Sequence, residues 1–174
     1  MFAFDRVEGD PATRYQHLLR QAESLMEGER DWLANLANAA SLLYHSLNQV
    51  NWAGFYLMKK EELVLGPFMG LPACIRIPIS KGVCGTAVRE KATQLVPDVL
   101  QFPGHIACDA STRSEIVIPL LVADRIVGVL DIDSPVPQRF DEEDRQYLER
   151  FAHLLVDKID WAPLLEDEGV RHQT

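Results

Sequence analysis

Apolar positions recur at helical spacing in the first third of the chain. Tyr15, Leu18, Leu19, Ala22, Leu25 and Met26 lie one, three or four residues apart. They follow Asp10-Pro11, an N-cap residue with proline in the first turn. After Gly28 a second set runs through Trp32, Leu33, Leu36, Ala39, Ala40, Leu43 and Leu47. Two amphipathic helices are predicted between about residues 11 and 48, with Asn48 to Asn51 as the exit. The pattern then becomes that of strands. Asn51 to Met58 and Leu63 to Met69 are short apolar and aromatic runs separated by a polar turn. Residues 70–115 are broken by Gly70, Pro72, Pro78, Gly82 and Gly85, and predict loops with one short helix from about Lys81-Gly82 to Lys91. Ile116 to Val122 and Arg125 to Asp133 are rich in β-branched residues and flank Ala123-Asp124, as a hairpin would. Phe140, Tyr147, Phe151, Leu154, Leu155 and Ile159 predict a closing amphipathic helix, and the tail from Trp161 predicts irregular structure.

Consecutive strands with helices gathered at the two ends are the pattern of an α+β domain. A central antiparallel sheet carries helices on one face, and the long excursion leaves the other face for ligand-pocket loops. The 174 residues fit one domain spanning 1–174. The N-terminal helices take about 11–48, the sheet, pocket loops and closing helix about 50–160, and the tail 161–174.

Charge narrows the partners. Seventeen Lys and Arg against 26 Asp and Glu leave a net charge of −9. With no basic run, the chain lacks the clustered cations that nucleic acid and anionic membranes require. No apolar stretch reaches the roughly 18 residues of a membrane span, and the N-terminus does not read as a signal peptide. The expectation is a cytoplasmic protein that binds neither nucleic acid nor membrane.

Alternation assigns faces. Trp52, Gly54 and Tyr56 share one face of their strand. Val127, Val129, Asp131 and Asp133 share one face of the last strand, with Ile126, Leu130 and Ile132 opposite. Glu115 opens the preceding strand. Asp131 and Asp133 have two readings. They are residues leading into the turn at Ser134-Pro135, or they form an acidic pocket in which one carboxyl stays protonated and another holds an ammonium group. Trp52 and Tyr56 are either core residues or the wall of a ligand cage.

Three cysteines, Cys74, Cys84 and Cys108, cannot all pair within one chain, and none forms a Cys-x-x-Cys motif. No zinc site is expected. They are either buried inert thiols or redox thiols. By local electrostatics alone Cys84 is the leading nucleophile, because the first turn of a helix stabilises a thiolate. Cys108 lies in a polar loop where a thiol is accessible, beside His105, a weaker candidate base.

The segments Asn51-Trp52-Ala53-Gly54-Phe55-Tyr56, Gly82-Val83-Cys84-Gly85, His105-Ile106-Ala107-Cys108-Asp109, Ser114-Glu115-Ile116-Val117-Ile118-Pro119 and Gly128-Val129-Leu130-Asp131-Ile132-Asp133-Ser134 together resemble the free methionine-(R)-sulfoxide reductases, which are GAF-domain proteins. The resemblance runs from about residue 30 to 156. It implies a GAF-like fold and thiol-dependent reduction of free methionine (R)-sulfoxide without a metal or other cofactor. Cys108 then corresponds to the nucleophile, displacing Cys84. Cys74 corresponds to the cysteine that resolves it as a disulfide, and Cys84 to a third cysteine of the site. Glu115, Asp131 and Asp133 match substrate-holding carboxylates, and Trp52 and Tyr56 match the aromatic wall. A dithiol such as thioredoxin is the implied reductant. The rival reading is a GAF sensor of a cyclic nucleotide or other small molecule, which has no need of three cysteines. The N-terminal helices and an apolar sheet flank point to a homodimer.

Overall fold

The computed structural model describes residues 2–105 and 109–166. Helix α1 spans Pro11–Leu25 and α2 spans Trp32–Ser46. Both begin where an aspartate side chain accepts an otherwise unpaired first-turn amide. Asp10 takes Thr13 N at 3.0 Å, and Asp31 takes Ala34 N at 2.8 Å. Strands β1 (Trp52–Lys59) and β2 (Glu62–Gly70) form a hairpin. Strands β5 (Ser114–Val122) and β6 (Arg125–Ser134) form a second. At its turn Ala123 and Asp124 both have positive φ, 47° and 64°, which matches the right-handed twist of the flanking strands. Helix α3 spans Gly82–Glu90, and α4 spans Glu142–Lys158 behind a capping box of Asp141 and Asp144.

The sheet is antiparallel with strand order β3-β2-β1-β6-β5-β4. Its outer strands, β3 (Arg76–Pro78) and β4 (Gln94–Val96), lie within the stretch expected to be loops and one helix. Three residues are too few for alternation to show; pairing to β2 and β5 makes them strands. The tail holds another departure, the short helix α5 at Ala162–Glu166. Trp161 is buried in the helix-side core, and α5 begins directly after it.

Helices α1, α2 and α4 bury Leu18, Leu36, Leu43, Leu148 and Phe151 against Phe55, Ile118, Leu130 and Ile132 of the sheet. On the opposite face α3 packs Val83, Ala87 and Val88 over Trp52, Tyr56, Val117 and Val129. The face expected for Val127 and Ile126 is reversed. Leu120 pairs with Gly128 but Leu121 pairs with Ile126, so Val127 is an extra residue on β6. That bulge turns Val127 into the helix-side core and Ile126 toward the other face. Beyond Gly128 the alternation is as expected. Among the described residues no helix is long and apolar enough to cross a membrane.

Candidate active site

Register brings together carboxylates that are distant in sequence. Glu115 of β5 pairs with Asp133 of β6, and Asp133 pairs on its other side with Trp52 of β1. One rung further, Asp131 lies between Val117 and Gly54. Directly opposed side chains in an antiparallel pair are about 5 Å apart at Cβ, so three carboxylates share one patch. Glu115 and Asp131 are buried, each 6% exposed, while Asp133 is half-buried.

The wall beside them is aromatic. Trp52 stacks on Tyr56 at 5.8 Å and on Phe68 at 5.3 Å between ring centroids. Gly54 makes this possible, since a Cβ there would stand 2.8 Å from Trp52 Cη2 and 2.4 Å from Phe68 Cβ. The Tyr56 hydroxyl donates to the carbonyl of Cys74 at 3.0 Å, tying the wall to the segment between β2 and β3. Trp52, Tyr56 and the three carboxylates line a cleft of about 550 Å³, part of it open solvent, together with Leu71, Ala73, Val83, His105 and Asp109.

Burial pushes the carboxylates toward their protonated forms. Desolvation is the main cause at all three. It raises Asp131 to about 7, opposed by hydrogen bonds from Cys84 and Glu115. Glu115 is raised well above the ordinary carboxylate range by burial, then by the charges of Asp131 and Asp133. Asp133 is raised likewise by burial, then by Asp131 and Asp109. A carboxyl whose proton affinity is raised in this way can stay protonated and donate a hydrogen bond. Two polar atoms lining it, Trp52 Nε1 and Asp131 Oδ1, are buried and have no partner among the described residues. A buried donor and a buried acceptor left open in one cleft are positioned to meet a ligand carrying both an acceptor and a donor.

Cys84 departs from expectation. It sits in the first turn of α3, as predicted, yet its thiol is raised well above the ordinary value. Burial is the first cause, and the charges of Asp131 and Glu115 follow. Its Sγ donates to Asp131 Oδ2 at 3.4 Å. Cys84, Glu115 and Asp131 offer ligand atoms within 4.8 Å of one another.

Cys74 is half-buried on the segment between β2 and β3, adjoining pocket-lining Ala73. Cys108 lies outside the described residues, but its chain neighbour Asp109 lines the cleft. His105 also lines it, with its pKa lowered by burial. Sequence reasoning missed Asn51. Its Nδ2 donates to Asp109 Oδ2 at 3.0 Å, Ser111 Oγ at 3.2 Å and Thr112 Oγ1 at 3.3 Å. Asp109 Oδ1 in turn accepts from the Ser111 amide and hydroxyl. One side chain at the start of β1 thus fastens the loop that follows Cys108. An amide standing before a strand carries no distinctive signal, because its partners are 58 to 61 residues away.

Comparison with known proteins adds to this geometry. The GAF domain family model matches residues 34–160. Protein YtsP of Bacillus subtilis is 58% identical over 157 residues, covering 89% of this chain and 96% of its own length. The free methionine-R-sulfoxide reductase of Escherichia coli is 55% identical over 138 residues, covering 79% of this chain and 84% of its own. The structure of free methionine-R-sulfoxide reductase from Neisseria meningitidis in complex with its substrate matches with a TM-score of 0.87 at 43% identity, covering 97% of this chain and 98% of that one.

Proposed function

We propose that this chain, which belongs to the GAF-domain family of free methionine-R-sulfoxide reductases, reduces free L-methionine (R)-sulfoxide to methionine with its own thiols. The observation that carries this reading is the buried patch of Glu115, Asp131 and Asp133 at an aromatic wall, with Trp52 Nε1 and Asp131 Oδ1 left without partners among the described residues.

Free methionine sulfoxide is complementary to that patch. Its sulfoxyl oxygen accepts a hydrogen bond, its ammonium donates, and its methyl group is apolar. In this reading a protonated carboxyl donates to the sulfoxyl oxygen, an ionised one holds the ammonium, and Trp52 and Tyr56 receive the methyl. The Cys108 thiolate attacks the sulfoxide sulfur while a pocket carboxylic acid protonates the sulfoxide oxygen, and that hydroxyl passes to the Cys108 sulfur as the methionine sulfur keeps the electron pair of the broken S–O bond. Methionine leaves and Cys108 becomes a sulfenic acid. The Cys74 thiol condenses with it, a disulfide forms and water is released. A dithiol of the thioredoxin type restores both thiols by exchange. Cys84 serves here as a hydrogen-bond donor that orients Asp131. A cytoplasmic homodimer belongs to the same reading.

The test is an assay on the two separated epimers of free methionine sulfoxide, with dithiothreitol as reductant. Methionine is expected from the (R) epimer alone, with two thiols lost per chain when dithiothreitol is withheld. Peptide mapping of that product is expected to show Cys74 joined to Cys108. No methionine from either epimer refutes the proposal, and binding without loss of thiols marks a sensor.

A further inference from the structure

A second cavity, of about 270 Å³ with part of it open solvent, lies on the helix side of the sheet, away from the carboxylate patch. Its lining includes Arg14 and Tyr15 of α1, Ser46 and Asn48 at the end of α2, and Arg139 before α4. Two of its polar atoms, Arg14 Nε and Ser46 Oγ, are buried and have no hydrogen-bond partner among the described residues. A buried guanidinium N–H and a buried hydroxyl each cost free energy unless something meets them.

Arginines gather here in a chain whose net charge is −9. Arg6 donates to the Asn48 side chain. Arg139 Nε donates to the Asn48 carbonyl at 2.8 Å, and its Nη1 lies 3.1 Å from Asp144 Oδ2. Asp144 is committed elsewhere too, accepting from the Tyr15 hydroxyl and the Asp141 amide. Among the described residues, neither Arg6 nor Arg14 has a carboxylate within salt-bridge distance. The charged residues that line the cavity are Arg14 and Arg139, both cations. The lining supplies N–H and O–H donors from α1, from the end of α2 and from the segment before α4.

We propose that this cavity binds a small tetrahedral oxyanion, phosphate in kind, between Arg14, Ser46 and Arg139. The planar N–H fork of arginine pairs with phosphate oxygens in a way that a lysine point charge does not. The Ser46 hydroxyl supplies a donor from another direction, as a tetrahedral acceptor requires.

The intact chain is titrated at constant ionic strength with inorganic phosphate, with glycerol phosphate and with chloride, reading melting temperature and calorimetric heat. A saturable rise with phosphate or glycerol phosphate is expected, and none with chloride. The tighter of the two identifies the source as the free ion or a phosphomonoester. Arg14→Gln and Ser46→Ala should each weaken binding, Arg14→Gln by roughly tenfold or more, as the loss of a charged hydrogen bond implies. Glu115→Gln, at the other cavity, should bind as tightly as the wild type. No saturable response in the wild-type chain, or equal affinity in Arg14→Gln and Ser46→Ala, overturns the proposal. If Arg14→Gln fails to fold, Ser46→Ala and Arg14→Lys carry the same comparison.

Discussion

Cys84 Sγ donates to Asp131 Oδ2 across 3.4 Å, so the thiol at the start of α3 faces a buried carboxylate instead of open solvent. That contact decides its chemistry. With Cys74→Ser and Cys108→Ser removing the other thiols, Cys84 should resist iodoacetamide at pH 8. Adding Asp131→Asn should move its alkylation midpoint downward, because a carboxylate charge and its hydrogen bond are lost. The midpoint should still lie above that of an ordinary thiol, since burial is the larger cause. A midpoint at or below the ordinary value with Asp131 in place contradicts the assignment.

Asp131 should make the protein less stable as pH rises. Its pKa in the folded chain is raised from the ordinary 3.8 to about 7. The folded state therefore holds the proton more tightly than the unfolded chain. The stabilisation is complete below about pH 4 and is lost as pH rises through about 7. The loss is at most on the order of 4 kcal/mol. Asp131→Asn should melt higher than wild type at pH 8, with the gap closing near pH 4. An equal gap at both pH values refutes this linkage.

Asn51 is expected to be a positioning residue. Asn51→Ala removes three hydrogen bonds to the loop after Cys108 and should lower kcat by about tenfold or more with little change in KM. Asn51→Asp should be worse than Asn51→Ala, because it sets a carboxylate against Asp109. A purely structural role would lower the melting temperature of both variants and leave kcat per folded molecule unchanged.

Gly54→Ala should damage both wall and sheet. The new Cβ would lie 2.4 Å from Phe68 Cβ and 2.8 Å from Trp52 Cη2. The cost is about 1–3 kcal/mol for an overpacked site, read as a lower melting temperature. KM for methionine sulfoxide should rise and tryptophan fluorescence should shift as Trp52 moves. Unchanged values for all three would show that the aromatic stack has slack.

Local chemistry made much of this protein legible from its residues. The caps at Asp10 and the turn at Ala123-Asp124 depend on neighbours a few positions away. The shared face of Asp131 and Asp133 follows from a two-residue period that no bulge interrupts after Gly128. The same reasoning failed at Val127, where one extra residue reversed the parity, and at β3 and β4, which owe their form to pairing partners.

Tertiary structure alone decided the rest. Register set Glu115 opposite Asp133, and packing of α3 set Cys84 against Asp131. Asn51 meets Asp109, and Arg14 shares a cavity with Ser46 and Arg139. Proton affinity, hydrogen-bond clamping and charge balance depend on which groups are brought within a few ångströms and cut off from water. Sequence spacing along one element fixes which way a side chain points, but not what stands opposite it.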